Sequence, residues 1–377
     1  MKYKLNNTFL NSILRKIKKE IVFSLSFLLA IVTSIINSPK ISYIDFKVLF
    51  SLFNLMIVVA AFNDLKILDM LAIKILNKFN NSRRISLILI LLTFFSAMLI
   101  TNDVALITFV PLTLITCEKA QFNPVYTIIF QTIAANIGSS LTPMGNPQNL
   151  FLFSYFNIKP IEFFKVMLPF VTLGLLWLIV LNRKVKNENL IFLLENLYIK
   201  NKIQAIVFSL LFILIILSVF NIINYKLISM ITITITLIFN KDLIKKADYF
   251  LLLTFICFFI FIGNVSSMHV VKSFMGSILN HKGSTYFSSI LLSQIISNVP
   301  CSILLAGFTQ KWNELLLGVN IGGMGTIIAS LASLISYKLY INSANDVSSK
   351  KYLLLFHIYN IASLVLFTII CTPGVIP

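Results

Sequence analysis

The sequence predicts an all-α polytopic membrane protein of inverted-topology repeats, with two re-entrant hairpins and two discontinuous transmembrane helices. Three observations carry that expectation. Of 377 residues, 58% are hydrophobic, only 12% are charged and 34 are Phe, and a soluble fold of this length could not bury so much apolar surface. Apolar runs long enough to span a bilayer recur along the whole chain, about eleven passes or half-passes at roughly 15 to 20 residues each. Two polar interruptions, half a chain apart, read as edited copies of one another: TNDVALITF with NIGSSLTPMGNPQNL, then SNVPCSILL with NIGGMGTIIASLASL.

Residues 1–47 form an amino-terminal helix and membrane edge. Its apolar run, Ile21–Ile36, follows a basic stretch as in a signal peptide, but Asn37-Ser38-Pro39-Lys40 has no A-x-A-like cleavage site and reads as a membrane-edge turn. Residues 48–181 form the first repeat, with runs at Val48–Phe62, Ile85–Ile100, Val104–Thr116, Val125–Ile137 and Val166–Leu181. Residues 182–202 are a polar linker whose NENLIFLLENLYIKN core reads as an amphipathic helix lying in the interface. Residues 203–340 form the second repeat, with runs at Ile203–Phe220, Leu227–Phe239, Tyr249–Ile262, Ser284–Ser297, Cys301–Phe308 and Leu315–Tyr340. Residues 341–377 carry a last transmembrane helix over Tyr352–Cys371.

The net charge of +18 comes from short basic clusters between apolar runs, which indicates a cytoplasmic excess of Lys and Arg rather than a nucleic-acid surface. With a cytoplasmic amino terminus and hairpins at 85–116 and 284–309, the inside segments hold 23 of the 31 Lys and Arg. The same topology sets the FNLMIVVAAFNDLKILDMLAIKIL and FICFFIFIGNVSSMHVVKSFMGSIL stretches on opposite faces, so the repeats are inverted. The expected location is the inner or plasma membrane. The lipid bilayer is the expected surrounding.

Glycines and prolines in the duplicated motifs break the helical ladder. Broken backbone at membrane depth is tolerated where it is buried in protein or lines a wet cavity. An unwound segment offers carbonyls to a cation, and a new half-helix offers its N–H groups and positive dipole end to an anion. Within 85–157 the formal charges are Asp103, Glu118 and Lys119, and neither motif pair contains Arg or Lys. An anion there must be held by helix ends, Asn, Ser and Thr groups and bound cations. That favours cotransport with Na⁺ or H⁺ as coupling ion, with no other cofactor. Asp103 could ligate Na⁺, carry a proton, or cap the helix starting near Val104. An intramembrane enzyme would need clustered acids, His or a nucleophile–base pair, and the 13 acidic residues fall mostly in loops. Cys117, Cys257, Cys301 and Cys371 show no paired spacing.

NIGSSLTPMGNPQN resembles the N-I-G-x-x-x-T-x-x-G-[ND]-P-x-N segment of the ion transporter superfamily, which includes divalent anion:Na⁺ symporters, citrate–metal transporters and arsenite-efflux permeases. VNIGGMGTIIAS resembles its second copy, and the resemblance covers most of residues 48–372. It is nearest to the short bacterial anion-permease-like members. The resemblance implies hairpins entering from opposite sides, a transport domain moving against a scaffold, and often a homodimer. It would place ion and substrate sites at Thr101, Asn102, Asp103, Asn136, Gly138, Thr142, Gly145 and Asn146, with Ser139 and Asn149 beside them. In the second copy it would use Ser297, Asn298, Asn320, Gly322, Gly325 and Thr326. One Na⁺ is expected near Asn102, Asp103, Asn136 and Gly145, another near Asn298, Asn320 and Gly325. Dicarboxylate symporters carry Ser-Asn-Thr at both tips, whereas this chain reads Thr101-Asn102-Asp103 and Ser297-Asn298-Val299. That argues against citrate or succinate. The expected function is secondary transport of a small anion, with a cation/proton antiporter or an arsenite-type efflux permease as alternatives. No cysteine constellation supports arsenic recognition.

Overall fold

A computed structural model describes residues 20–190, 193–343 and 348–372. Among them are seventeen α-helices and no strand, in keeping with the all-α membrane class expected. By length and apolarity, six of the described helices can cross a membrane. In order the helices are α1 Ile21–Ile36, α2 Phe46–Asp64, α3 Ile67–Leu76, α4 Ser82–Ile100, α5 Asn102–Lys119 and α6 Val125–Ser139. The first half ends with α7 Pro147–Tyr155 and α8 Pro160–Leu181. Then come α9 Lys202–Val219, α10 Tyr225–Phe239, α11 Tyr249–Ser266, α12 His269–Leu279 and α13 Ser284–Ile296. The chain closes with α14 Asn298–Ala306, α15 Trp312–Gly322, α16 Leu331–Ile341 and α17 Ser349–Ile370.

Several helices begin where the sequence supplies a cap. Asp45 accepts from the Val48 N–H at the start of α2, Asn81 from Arg83 and Arg84 at α4, and Asp248 from Leu251 at α11. Each satisfies one or two of the donors that a helix start leaves open. The starts of α5 and α14 have no side-chain cap, and both lie in the interior of the molecule.

Packing repeats across the two halves. Helix α4 lies along α6 and pairs with α5; α13 lies along α15 and pairs with α14. The broken helices then exchange partners, because α16 packs on α5 and α7 packs on α14. The outer helices exchange as well, α1 lying along α11 and α10 along α2. Large apolar side chains stay exposed on α1, α8, α9, α10 and α17, among them Ile36, Leu176, Ile203, Met230 and Ile369. A soluble protein would not leave so much apolar surface in water; here lipid covers it. Thr232 and Thr236 satisfy their hydroxyls on carbonyls one turn back in α10.

The linker departs from the sequence expectation. Instead of an interfacial helix, Asn182–Lys184 is a short 3₁₀ turn and the described residues after it run without helix to α9. Residues 191 and 192 lie outside the described residues. The cause is competition for the backbone. Ser82 donates its N–H to the Glu188 carbonyl and its hydroxyl to Lys186 O, at 3.0 and 2.7 Å. The Leu190 N–H reaches Asn80 O, Asn77 pairs both ways with Leu194, and Arg83 Nε donates to Val185 O. The linker is therefore a strap across the α3–α4 turn, its polar backbone satisfied by that turn rather than by a helical ladder.

Candidate functional site

Each copy places one hairpin tip against one helix break. The first tip is Thr101, with φ 74° and ψ 151°; the second is Ser297, with φ 73° and ψ 153°. Residues with side chains rarely adopt this region, and when they do it is commonly where function holds strain. The next residue in each copy fixes the tip. Asn102 N–H donates to Gly145 O at 3.1 Å, and Asn298 N–H donates to Ala329 O at 2.9 Å. The two threonines correspond too: Thr142 donates its hydroxyl to Met98 O, and Thr326 donates to Gln294 O at 3.1 Å.

Glycine is required where the broken helix meets the hairpin backbone or folds back on itself. A Cβ on Gly138 would sit 2.2 Å from the Phe94 carbonyl oxygen, and one on Gly145 would sit 2.1 Å from Ser139 O. A Cβ on Gly322 would meet Ser293 at 2.8 Å. Gly325 needs its own freedom, having φ 106°.

Four buried asparagines join the copies. Asn136 accepts from Asn102 Nδ2 at 3.3 Å and from Ser330 Oγ at 3.0 Å, and donates to Gly323 O at 3.2 Å. Asn320 is saturated. Its oxygen accepts from Ser140 and Asn146 at 2.9 and 3.1 Å, and its nitrogen donates to Asn149 Oδ1 and Leu316 O at 2.7 and 2.8 Å. A carboxamide has two donors and two main acceptor positions, so Asn320 has none left for an ion. Asn149 likewise spends its nitrogen on the carbonyls of Ser139, Ser140 and Thr142. Asn146 caps α7 through Asn149 N–H at 2.8 Å and contacts Ser139 Oγ at 3.2 Å. Asn320, Asn146 and Asn149 thus fasten the copies together, while Thr101, Asn102, Asp103, Ser297 and Asn298 form the two tips.

Asp103 is the first-turn acid of α5. It does not cap that helix, as one sequence reading had it. The helix starts earlier, at Asn102 with Thr101 as its N-cap residue, so Asp103 lies inside the first turn and makes no cap hydrogen bond. Its own N–H donates to Asn102 Oδ1 at 3.0 Å, and its Oδ1 is buried without a hydrogen-bond partner. The corresponding residue in the second copy is Val299. Two uncapped helix starts therefore face the breaks, one with a carboxylate and one without. The first suits a cation; the second, where Asn298 N–H is spent on Ala329 O and Pro300 has no N–H, keeps the positive dipole end that favours an anion.

Gln294 and Ser330 were not among the residues singled out from sequence. Gln294 stands three residues before its tip, as Met98 does before Thr101, and that register is the signal that could have found it.

The chain matches the citrate transporter family model over residues 9–312. It is 40% identical over 316 residues to an uncharacterized transporter of Methanocaldococcus jannaschii, covering 83% of this chain and 86% of that protein. It is 28% identical over 324 residues to the inner membrane protein YbiR of Escherichia coli, covering 85% of each. A shorter match, 32% over 118 residues, links 30% of this chain to 14% of the human P protein. The chain belongs to the citrate transporter family and is a multi-pass membrane transporter.

Proposed function

We propose that this member of the citrate transporter family moves a small anion by secondary active transport, coupled to Na⁺ or H⁺. The observation that carries the reading is the pair of uncapped helix starts, α5 and α14, held against broken helices by matching backbone hydrogen bonds. Buried polar backbone of this kind belongs where a solute passes. The motif segments have no Arg or Lys, so an anion would rest on helix-start dipoles and amide side chains, its charge offset by an ion beside Asp103. The family name suggests citrate, but the missing tip threonines favour a smaller anion.

Counting crossings supports inverted copies. Helices α1, α2, α6–α7 and α8 cross four times and return the chain to its starting side. Helix α9 adds one crossing, so the corresponding set α10, α11, α15–α16 and α17 starts from the opposite face. On this reading α17 belongs to the second copy, matching α8 in its 22 residues. Helix α4 is long enough to cross; it is read as one arm of a re-entrant hairpin because its tip meets the Gly145 break. Helices α1, α2 and α9–α11 would form the scaffold. The hairpins and broken helices would move against it as a body, in a membrane with the amino terminus inside.

The test is uptake of small oxyanions into proteoliposomes across imposed Na⁺ and pH gradients. Asp103→Asn is expected to lower gradient-driven uptake by about tenfold to a hundredfold, the scale of one lost charge-assisted contact. Unchanged ion dependence in that variant would remove Asp103 from coupling. The unpartnered Asp103 Oδ1 also favours a second reading, a cation/proton antiporter in which Asp103 carries the exchanged ion. Ion exchange in the absence of any anion would select it.

A further inference from the structure

The Gln294 side chain reaches from α13 into the second helix break. Its Nε2 lies 2.8 Å from Gly322 O, 3.1 Å from Met324 O and 3.2 Å from Ile290 O. Its Oε1 accepts from Thr326 N–H at 2.9 Å. One –NH₂ group, with two hydrogens and partial positive charge, thus sits among three carbonyl oxygens. Met324 O lies in the break and Gly322 O at the end of α15, while Ile290 O belongs to the preceding turn of α13; carbonyls freed at a break are what a transporter offers to Na⁺. Gly325 leaves the room for it, because a Cβ there would fall 2.3 Å from Gln294 Oε1.

At the corresponding position of the first copy stands Met98, whose thioether is a poor substitute for an amide donor. The surroundings otherwise correspond: each tip has the same torsions, and each threonine hydroxyl bonds the carbonyl of the residue in question. The first copy has instead a carboxylate, Asp103, where the second has Val299.

We propose that the Gln294 carboxamide occupies the cation position of the second break, so that this loop closes without an ion and coupling is carried by a single ion on the first copy. Gln294 is a positioning residue that replaces a ligand. The inference rests on the transporter reading above, and predicts one coupling ion per cycle rather than the two that the duplicated motifs suggest.

The test reads unfolding of the full-length protein in detergent, so it does not depend on finding the transported anion. Gln294→Glu keeps the shape but puts an acid among the three carbonyls. When protonated it can donate as the amide does; when ionised it faces like partial charges unless a cation enters. Its neutral form is favoured in the folded state, so its stability contribution is present at acid pH and lost as pH rises. The melting temperature of Gln294→Glu is expected to fall from acid to alkaline pH relative to the parent, and to be restored by Na⁺ but not by choline. Gln294→Met, which copies the first break, is expected to melt lower and to regain stability with Na⁺. A purely structural clamp would lose stability in both variants with no Na⁺ rescue, and that result overturns the proposal. Should neither variant fold, Asp103→Asn decides: with Gln294 in place it is expected to show no Na⁺ stabilisation, and stabilisation that survives overturns the single-ion assignment. Failure of transport itself would appear as absent uptake with these melting shifts intact.

Discussion

The two hairpin tips share a backbone and differ in chemistry. Thr101 and Ser297 have φ and ψ within a few degrees of each other, and each is followed by an Asn whose N–H is spent on the opposing break. Such agreement between stretches with little residue identity shows that the strained turn and its anchoring bond are what both halves need. The difference lies two residues after each tip and three before it. The first tip has Asp103 and Met98, the second Val299 and Gln294. A duplicated frame has thus been furnished with a carboxylate on one side and a carboxamide on the other, which is how one fold can offer unlike sites to unlike charges.

The closeness of hairpin and broken helix is the part of this comparison that breaks most visibly. At Gly138 the neighbour is the Phe94 backbone, which cannot swing aside; at Gly322 it is chiefly the Ser293 side chain. Gly138→Ala is expected to lower stability by about 3 kcal/mol and Gly322→Ala by about 1 kcal/mol, the two ends of the usual overpacking range. Denaturant unfolding in micelles measures both. Equal losses would mean that the two hairpins seat alike despite these contacts.

Next comes the asparagine pair. Removing Asn320 strands chiefly Asn149 Oδ1, because Ser140 still donates to Asn136 O and Asn146 to Ser139 Oγ, whereas removing Asn136 takes the hydrogen bonds from Asn102 Nδ2, Ser330 Oγ and Gly323 O at once. Asn136→Ala is expected to cost about 2 kcal/mol and Asn320→Ala about 1 kcal/mol, from the penalty for unpaired buried groups. Substrate affinity sharpens the distinction. A saturated Asn320 acts only through stability, so substrate affinity measured in Asn320→Ala protein that remains folded should change little. A large change would return Asn320 to the ligand set that its sequence position suggested.

Much of this was legible in the sequence, for identifiable reasons. Apolar runs gave the helices because lipid-facing and core-facing residues are both apolar here; Ile21–Ile36 matches α1 end to end. The breaks were legible because Gly145, Asn146 and Pro147 have few uses inside a plain span. Side-chain bookkeeping was not. Asn320 reads as a ligand by type, and only its distant partners Ser140, Asn146 and Asn149 show that it is full. Asp103 read as a possible cap because the sequence does not reveal that Thr101 already holds the N-cap position. Gln294 was hidden because its role depends on carbonyls about thirty residues downstream meeting at one point. The linker misled for the same reason, since its amphipathic pattern was real but Asn77 and Ser82 offered its backbone stronger local partners.

That strap marks the smallest of the expected effects and the last asymmetry between the copies. The first hairpin is held at its base by the linker through Ser82, which both donates to Lys186 and Glu188 carbonyls and accepts from Glu188 N–H. The second hairpin is held by a carboxylate, Glu314 accepting from Gly283 N–H at 3.1 Å. Ser82→Ala removes one hydroxyl from a network with several other anchors, among them Arg83 and Asn77. The expected loss is about 1 kcal/mol, read less by global melting than by tryptic cleavage after the exposed Lys186. Cleavage should quicken while the hairpin itself stays folded, because local opening needs only the strap to lift. If cleavage stays at the parent rate, the strap is fastened by its remaining contacts and the first hairpin's base is as rigid as the second's.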